Sequence, residues 1–212
     1  MKKNITEFVG TAFLVMVVIG SGIMADNLSN GNDAITLLGN TIATGAILFV
    51  LIKMFTDVSG AHFNPIVSLI FLIKKELTPN EFISYLFFQF LGGILAVFLV
   101  HYIFDLTIFQ LSDNYRAGYP KLVSEIIASF GLLSTILFIR KFDPSSVALG
   151  VGLFITAGYW FTSSTSFANP AITIARVFTN TFTGISPESI LYFFTGQIIG
   201  ALLALYFFNL TD

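Results

Sequence analysis

The chain has 212 residues; 55% are hydrophobic, only 10% are charged, and the net charge is −2. A soluble domain carries about 25% charged residues, so a membrane protein is expected, and the near-neutral balance leaves no basic patch for nucleic acid. With no Cys and two His, disulfides, thiol catalysis and thiolate metal sites are excluded, and little remains for another metal centre or a bound cofactor.

Apolar runs over residues 5–25 and 34–55 open the chain. Each is near the ~20 residues needed to cross a hydrocarbon core of about 30 Å. The first follows Lys2 and Lys3 like a signal peptide, but it is as long as a span and no convincing small-residue cleavage site follows it. Next comes Asn64-Pro65-Ile66, leading into an apolar stretch, 66–73, too short to cross. A third run covers 82–104, and a polar linker containing Gly and Asn follows at about 105–119. Runs at 122–139 and 147–163 then lead to Asn169-Pro170-Ala171 and a second short stretch, 171–178, before the last run at 190–208. The order is span, span, half-span, span, given twice. Three spans per half force the halves into opposite orientations, so an all-α membrane protein with six transmembrane helices and two re-entrant half-helices is expected. It reads as one transmembrane domain, 1–212, built from inverted repeats at about 1–104 and 120–212.

Lys and Arg counts orient it. With the N-terminus inside, the inner side holds Lys2, Lys3, Lys53, Lys74, Lys75, Arg140 and Lys141, and the outer side holds Arg116, Lys121 and Arg176. Both termini are therefore expected in the cytoplasm of a multi-pass protein of the cell (inner) membrane. The 25 Phe suit side chains facing a lipid bilayer.

Asn is a favoured helix N-cap and Pro is well tolerated at the first helical position. One Asn-Pro is an ordinary turn signal; two at matching positions of an inverted repeat mark two helices that start at bilayer depth. A helix start leaves N–H groups unpaired and carries partial positive charge. Such an end survives in a membrane only when buried in protein or lining a wet cavity. The two ends are expected to meet near the midplane, where Asn64 and Asn169 cap their helices through their carbonyl oxygens and leave their NH2 groups free to donate to a solute. Converging positive ends also repel cations, hydronium included. Glu7 and Glu125, near the starts of spans one and four, are ionisable groups at membrane depth that need partners.

The segments SGAHFNPIVSL (Ser59 to Leu69) and SFANPA (Ser166 to Ala171) resemble the signature loops of the aquaporin, or major intrinsic protein, family. The likeness extends over essentially the whole chain, through TEF at residues 6–8 and SEII at 124–127. It implies a right-handed six-helix bundle, a homotetramer with one pore per subunit, and passive passage of water or small neutral solutes. It also implies a pore midplane at Asn64, Pro65, Ile66, Asn169, Pro170 and Ala171. Glu7, Glu125 and His62 are then expected to brace the re-entrant loops, with His62 near the inner pore.

The family usually places an Arg directly after the second Asn-Pro-Ala, as part of a filter outside the midplane. Here that position is Ile172. Gapless spacing from the motifs puts the other filter positions at Thr44, Ala157 and Ser166. Such a filter is wide and uncharged unless Arg176, expected in the outer vestibule, folds back or the stretch Tyr159-Trp160-Phe161 intrudes. Ile66, in place of the usual Ala, is expected to shift Asn64 or narrow the midplane. The segment from Phe161 to Arg176 is similar to a bacterial branch often encoded beside arsenic-resistance genes, which implies permeation by glycerol-like polyols or arsenous acid. The alternative from the repeat alone is an ion-coupled secondary transporter, for which no spare mid-membrane carboxylate remains. An enzyme is not expected, since no Ser/His/Asp set, metal cluster or phosphate loop is visible.

Overall fold

The structure is a computed structural model and describes residues 1–211. Its helices are α1 (Lys2–Ser29), α2 (Asp33–Ser59), α3 (Pro65–Ile73), α4 (Pro79–Ile103), α5 (Tyr119–Phe142), α6 (Val147–Phe161), α7 (Pro170–Ala175) and α8 (Ile190–Thr211). All but α3 and α7 are, with their leading turns, long and apolar enough to cross a membrane. The two short helices have nine and six residues, far below the ~20 a span needs.

Local chemistry sets the helix boundaries. The Asn32 side chain accepts from the backbone N–H groups of Ala34 and Ile35 at the start of α2. At α4 a capping box joins Thr78 and Glu81, with Pro79 in the first turn. Gly60, at φ 84°, ends α2 in the left-handed conformation that glycine adopts at least cost.

In each half, the first and third spans pack together: α1 against α4, and α5 against α8. Across the halves, α2 meets α6. That crossing is backbone to backbone, since a Cβ on Gly152 would fall 2.7 Å from the Gly45 carbonyl oxygen. The half-helices α3 and α7 fill the space between the halves, each touching α4, α8 and the other. Large apolar side chains such as Phe87, Leu153, Trp160 and Leu191 cover the outside, at 50–73% exposure, as suits lipid rather than water.

The segment between α4 and α5 is strapped down. His101 is fully buried; its ring nitrogens lie 2.8 Å from the Ile108 carbonyl and 2.9 Å from the Thr179 hydroxyl. Ser112 N–H donates to Val177 O, and Ser186 N–H to Asn114 O. The linker is thereby held across the chain that leaves α7.

Candidate functional site

Each re-entrant loop hangs from one buried carboxylate. Glu7 is fully buried and accepts from the hydroxyl of Ser59, the N–H groups of His62 and Phe63, and the amide of Gln89, at 2.6–3.0 Å. Glu125 does the same with Ser164, Phe167, Ala168 and Gln197, at 2.6–2.9 Å. Both glutamines also donate onward, Gln89 to Ser68 and Gln197 to Thr173. The loop backbones follow one pattern. Gly60, Ala61 and Phe63 have positive φ, as do Thr165, Ser166 and Ala168 at the same offsets before the second Asn. Non-glycine residues adopt this region only at a cost, and the paired N–H bonds to a carboxylate hold them there.

The loops end at the two asparagines. Asn64 Oδ1 accepts from Ile66 N–H at 3.1 Å, and Asn169 Oδ1 accepts from Ala171 and Ile172 N–H at 2.9 and 3.3 Å. Their NH2 groups cross over. Asn64 Nδ2 donates to Ala168 O at 2.7 Å, and Asn169 Nδ2 donates to Phe63 O at 2.9 Å. The NH2 groups are therefore not wholly free: one N–H of each ties the two loops together, and an amide nitrogen has two to give.

Both asparagines line a central lumen of about 60 Å³. One water needs roughly 10–15 Å³ of space open to its centre, so this has room for only a few. One wall is apolar, with Leu14, Leu48, Leu132 and Ile155 from α1, α2, α5 and α6; polar groups come from the loops, from Thr44 on α2 and from Tyr159 on α6. Pro65, Ile66, Pro170 and Ala171 are buried but stand outside the lining. The Asn64 cap is intact beside Ile66.

Toward the face that carries Lys3, the lumen shares Ile52, Ala61, His62, Ile136 and Val151 with a wider cavity of about 410 Å³. His62 packs on Phe71 with ring centroids 4.7 Å apart, and its Nδ1 lies 3.0 Å from Ser68 Oγ. Toward the linker face lies a cavity of about 400 Å³ that includes Asn40, Arg116 and Thr165. Among the described residues, Arg176 alone lines both it and the lumen.

Of the expected filter residues, Thr44, Ser166 and Ile172 line the lumen and Ala157 does not. Ala157 is exposed on the outside of α6. The reason is helical register: Gly152 pins α6 to α2, which turns Val151, Ile155 and Tyr159 inward, and a residue two positions away points to the opposite side. Tyr159, 4% exposed, brings its hydroxyl 3.3 Å from Thr44 Oγ1. The conditions set for a wide, uncharged opening are thus not met: Tyr159, from the stretch expected to intrude, lines the lumen where Ala157 does not, and the Arg176 guanidinium is present. Arg176 is 3% exposed; its Nε donates to Thr183 O, its Nη1 has no partner among the described residues, and its Cζ lies 3.6 Å from the Phe167 ring centroid.

Six spans, two half-helices and a narrow lumen between their starts define a membrane channel. The chain belongs to the major intrinsic protein family, which residues 1–144 match. It is 48% identical over 204 residues to the aquaglyceroporin AqpS of Rhizobium meliloti (strain 1021), covering 96% of this chain and 87% of that one. It is 28% identical over 209 residues to aquaporin NIP2-1 of Zea mays, covering 95% and 68%. The X-ray structure of the aquaglyceroporin from Plasmodium falciparum shares the fold, with a TM-score of 0.78 at 20% identity over 98% of this chain and 95% of that one. The protein is a passive channel for water and small solutes.

Proposed function

We propose that the channel carries compact uncharged polyhydroxy solutes, glycerol and arsenous acid among them, together with water, down their gradients. The observation that carries this is the pair of crossed asparagine caps inside a lumen with one apolar wall. Each Asn keeps one amide hydrogen for a solute oxygen, while the apolar wall accepts C–H surface. Two helix starts converging on this point disfavour cations. The 48% identity to a protein named an aquaglyceroporin supports the solute class.

In this reading Glu7 and Glu125 are braces and never touch the solute, and His62 lines the path on the terminal side. Four donors surround each carboxylate, three from the re-entrant segment and its lead-in and one from a glutamine of α4 or α8, so neither is spare for ion coupling. The repeats at 1–104 and 120–212 work as one domain in a homotetramer that buries part of the apolar exterior. Both termini then lie in the cytoplasm, with the protein in the cell membrane, a reading that the basic residues on the face of Lys3 support. The test is stopped-flow flux of water, glycerol, urea and arsenous acid into proteoliposomes, with and without H⁺ and Na⁺ gradients. Downhill flux that ignores the ion gradients is expected; accumulation driven by either ion would overturn the passive reading.

A further inference from the structure

Arg176 is an odd residue to find buried. It sits on the last turn of the second re-entrant segment, in the hydrophobic interior, and among the described residues no acidic group pairs with it in an ion bridge. Burying a cation without a counter-charge is costly. The Phe167 ring face repays part of this by cation–π attraction, and the Thr183 carbonyl takes the Nε proton. Among the described residues Nη1 remains unpartnered, as does Ser166 Oγ, and both residues line the lumen.

The repeat shows that the position does not require a charge. Arg176 lies seven residues after Asn169, as Phe71 lies seven after Asn64; Phe167 lies two before Asn169, as His62 lies two before Asn64. In the first repeat the pair is a stack of two rings, His62 on Phe71. In the second, a guanidinium replaces one ring at the same place, where the lumen meets the linker-side cavity. Near this end Tyr159 from α6 reaches Thr44 on α2.

We propose that Arg176, stacked on Phe167, and Tyr159, joined to Thr44, are the specificity-determining residues of the channel, and that they select by size and hydrogen bonding in place of the residue at Ile172. The guanidinium offers fixed donors from one helical turn further along; the tyrosine supplies the bulk. This rests on the channel reading above, and the experiment separates the two.

Wild type, Arg176→Met, Arg176→Lys, Tyr159→Ala and Tyr159→Phe are reconstituted, and the ratio of erythritol to water permeability is read in the same vesicles. A ratio is insensitive to how much protein folded. Arg176→Met and Tyr159→Ala are expected to raise it severalfold, and Tyr159→Phe less, because it loses only the hydroxyl contact. Arg176→Lys keeps the charge but not the flat stack and is expected to fall between wild type and Arg176→Met. If Arg176→Met fails to assemble, Arg176→Lys and Tyr159→Phe still decide the matter. An unchanged ratio in every variant that conducts overturns the assignment while leaving the channel intact. Wild-type vesicles that pass neither solute above protein-free controls overturn both.

Discussion

The two re-entrant loops are alike in their skeleton and unlike in their ends. From the carboxylate outward they match bond for bond: a serine hydroxyl, two successive N–H groups and a glutamine amide on each of Glu7 and Glu125. They match again at the crossed asparagines. They part where they face the two mouths, His62 and Phe71 on one side, Phe167 and Arg176 on the other. The scaffold needs the same buried donors satisfied twice, so the repeat preserves it. The ends meet different solutions, so there the repeat is free to diverge.

The scaffold half of this comparison breaks most sharply at the carboxylates. Removing either leaves four donors buried, and each orphan costs about 1–3 kcal/mol against a total stability of roughly 5–15 kcal/mol. Glu7→Ala and Glu125→Ala are each expected to abolish recovery of folded protein, measured as the monodisperse peak in detergent. Equivalence of the loops fails if one variant assembles normally and the other does not.

The asparagines come next. Asn64→Asp and Asn169→Asp keep the helix cap but replace the donor that crosses to Ala168 O or Phe63 O with an acceptor. Assembled protein with water and glycerol flux reduced alike is expected from both, at a stability cost of about 1–3 kcal/mol. A change in glycerol flux alone would mean that the midplane selects between solutes as well as conducting them.

Ile172 sharpens the divergent half. It lines the lumen one turn before Arg176 on the same re-entrant segment. Ile172→Arg adds a second guanidinium to a space of about 60 Å³. Glycerol permeability is expected to fall severalfold and water permeability less, since water needs only a thin path. Equal loss of both would show general blockage rather than a tightened filter.

Much of this was readable in the chain. Asn followed by Pro marks a helix start by cap and fixed φ, and α3 and α7 begin at Pro65 and Pro170. Run length against bilayer thickness marked the spans, although α1 continues to Ser29, four residues past the expected end. Arg176 was half legible: its offset from Asn169 equals that of Phe71 from Asn64, a signal visible only when the repeats are aligned position by position. Ala157 was not legible. Counting back from Asn169 assumes a connection of fixed length, whereas the inward face of α6 is set by Gly152 meeting Gly45 on a helix more than a hundred residues away. His101 gave no signal either, because its partners, Ile108 and Thr179, are brought together by the linker and the chain after α7.

That register is open to a test in which one member is expected to do nothing. The wild type has no Cys, so a thiol reagent finds no target and a single introduced Cys reports its own surroundings. Tyr159→Cys and Ala157→Cys lie two residues apart, about 200° around the helix at 3.6 residues per turn. A membrane-impermeant mercurial applied from the linker face reaches the lumen through the cavity bounded by Arg116 and Arg176. It is expected to inhibit Tyr159→Cys, with reversal by thiol reductant, because a mercury adduct occupies much of so small a lumen. Ala157→Cys faces lipid, where a charged reagent partitions poorly, and its flux is expected to match wild type with and without the reagent. Inhibition of Ala157→Cys with none at Tyr159→Cys would rotate α6 by half a turn, return alanine to the lumen, and remove the tyrosine from the comparison between the two mouths.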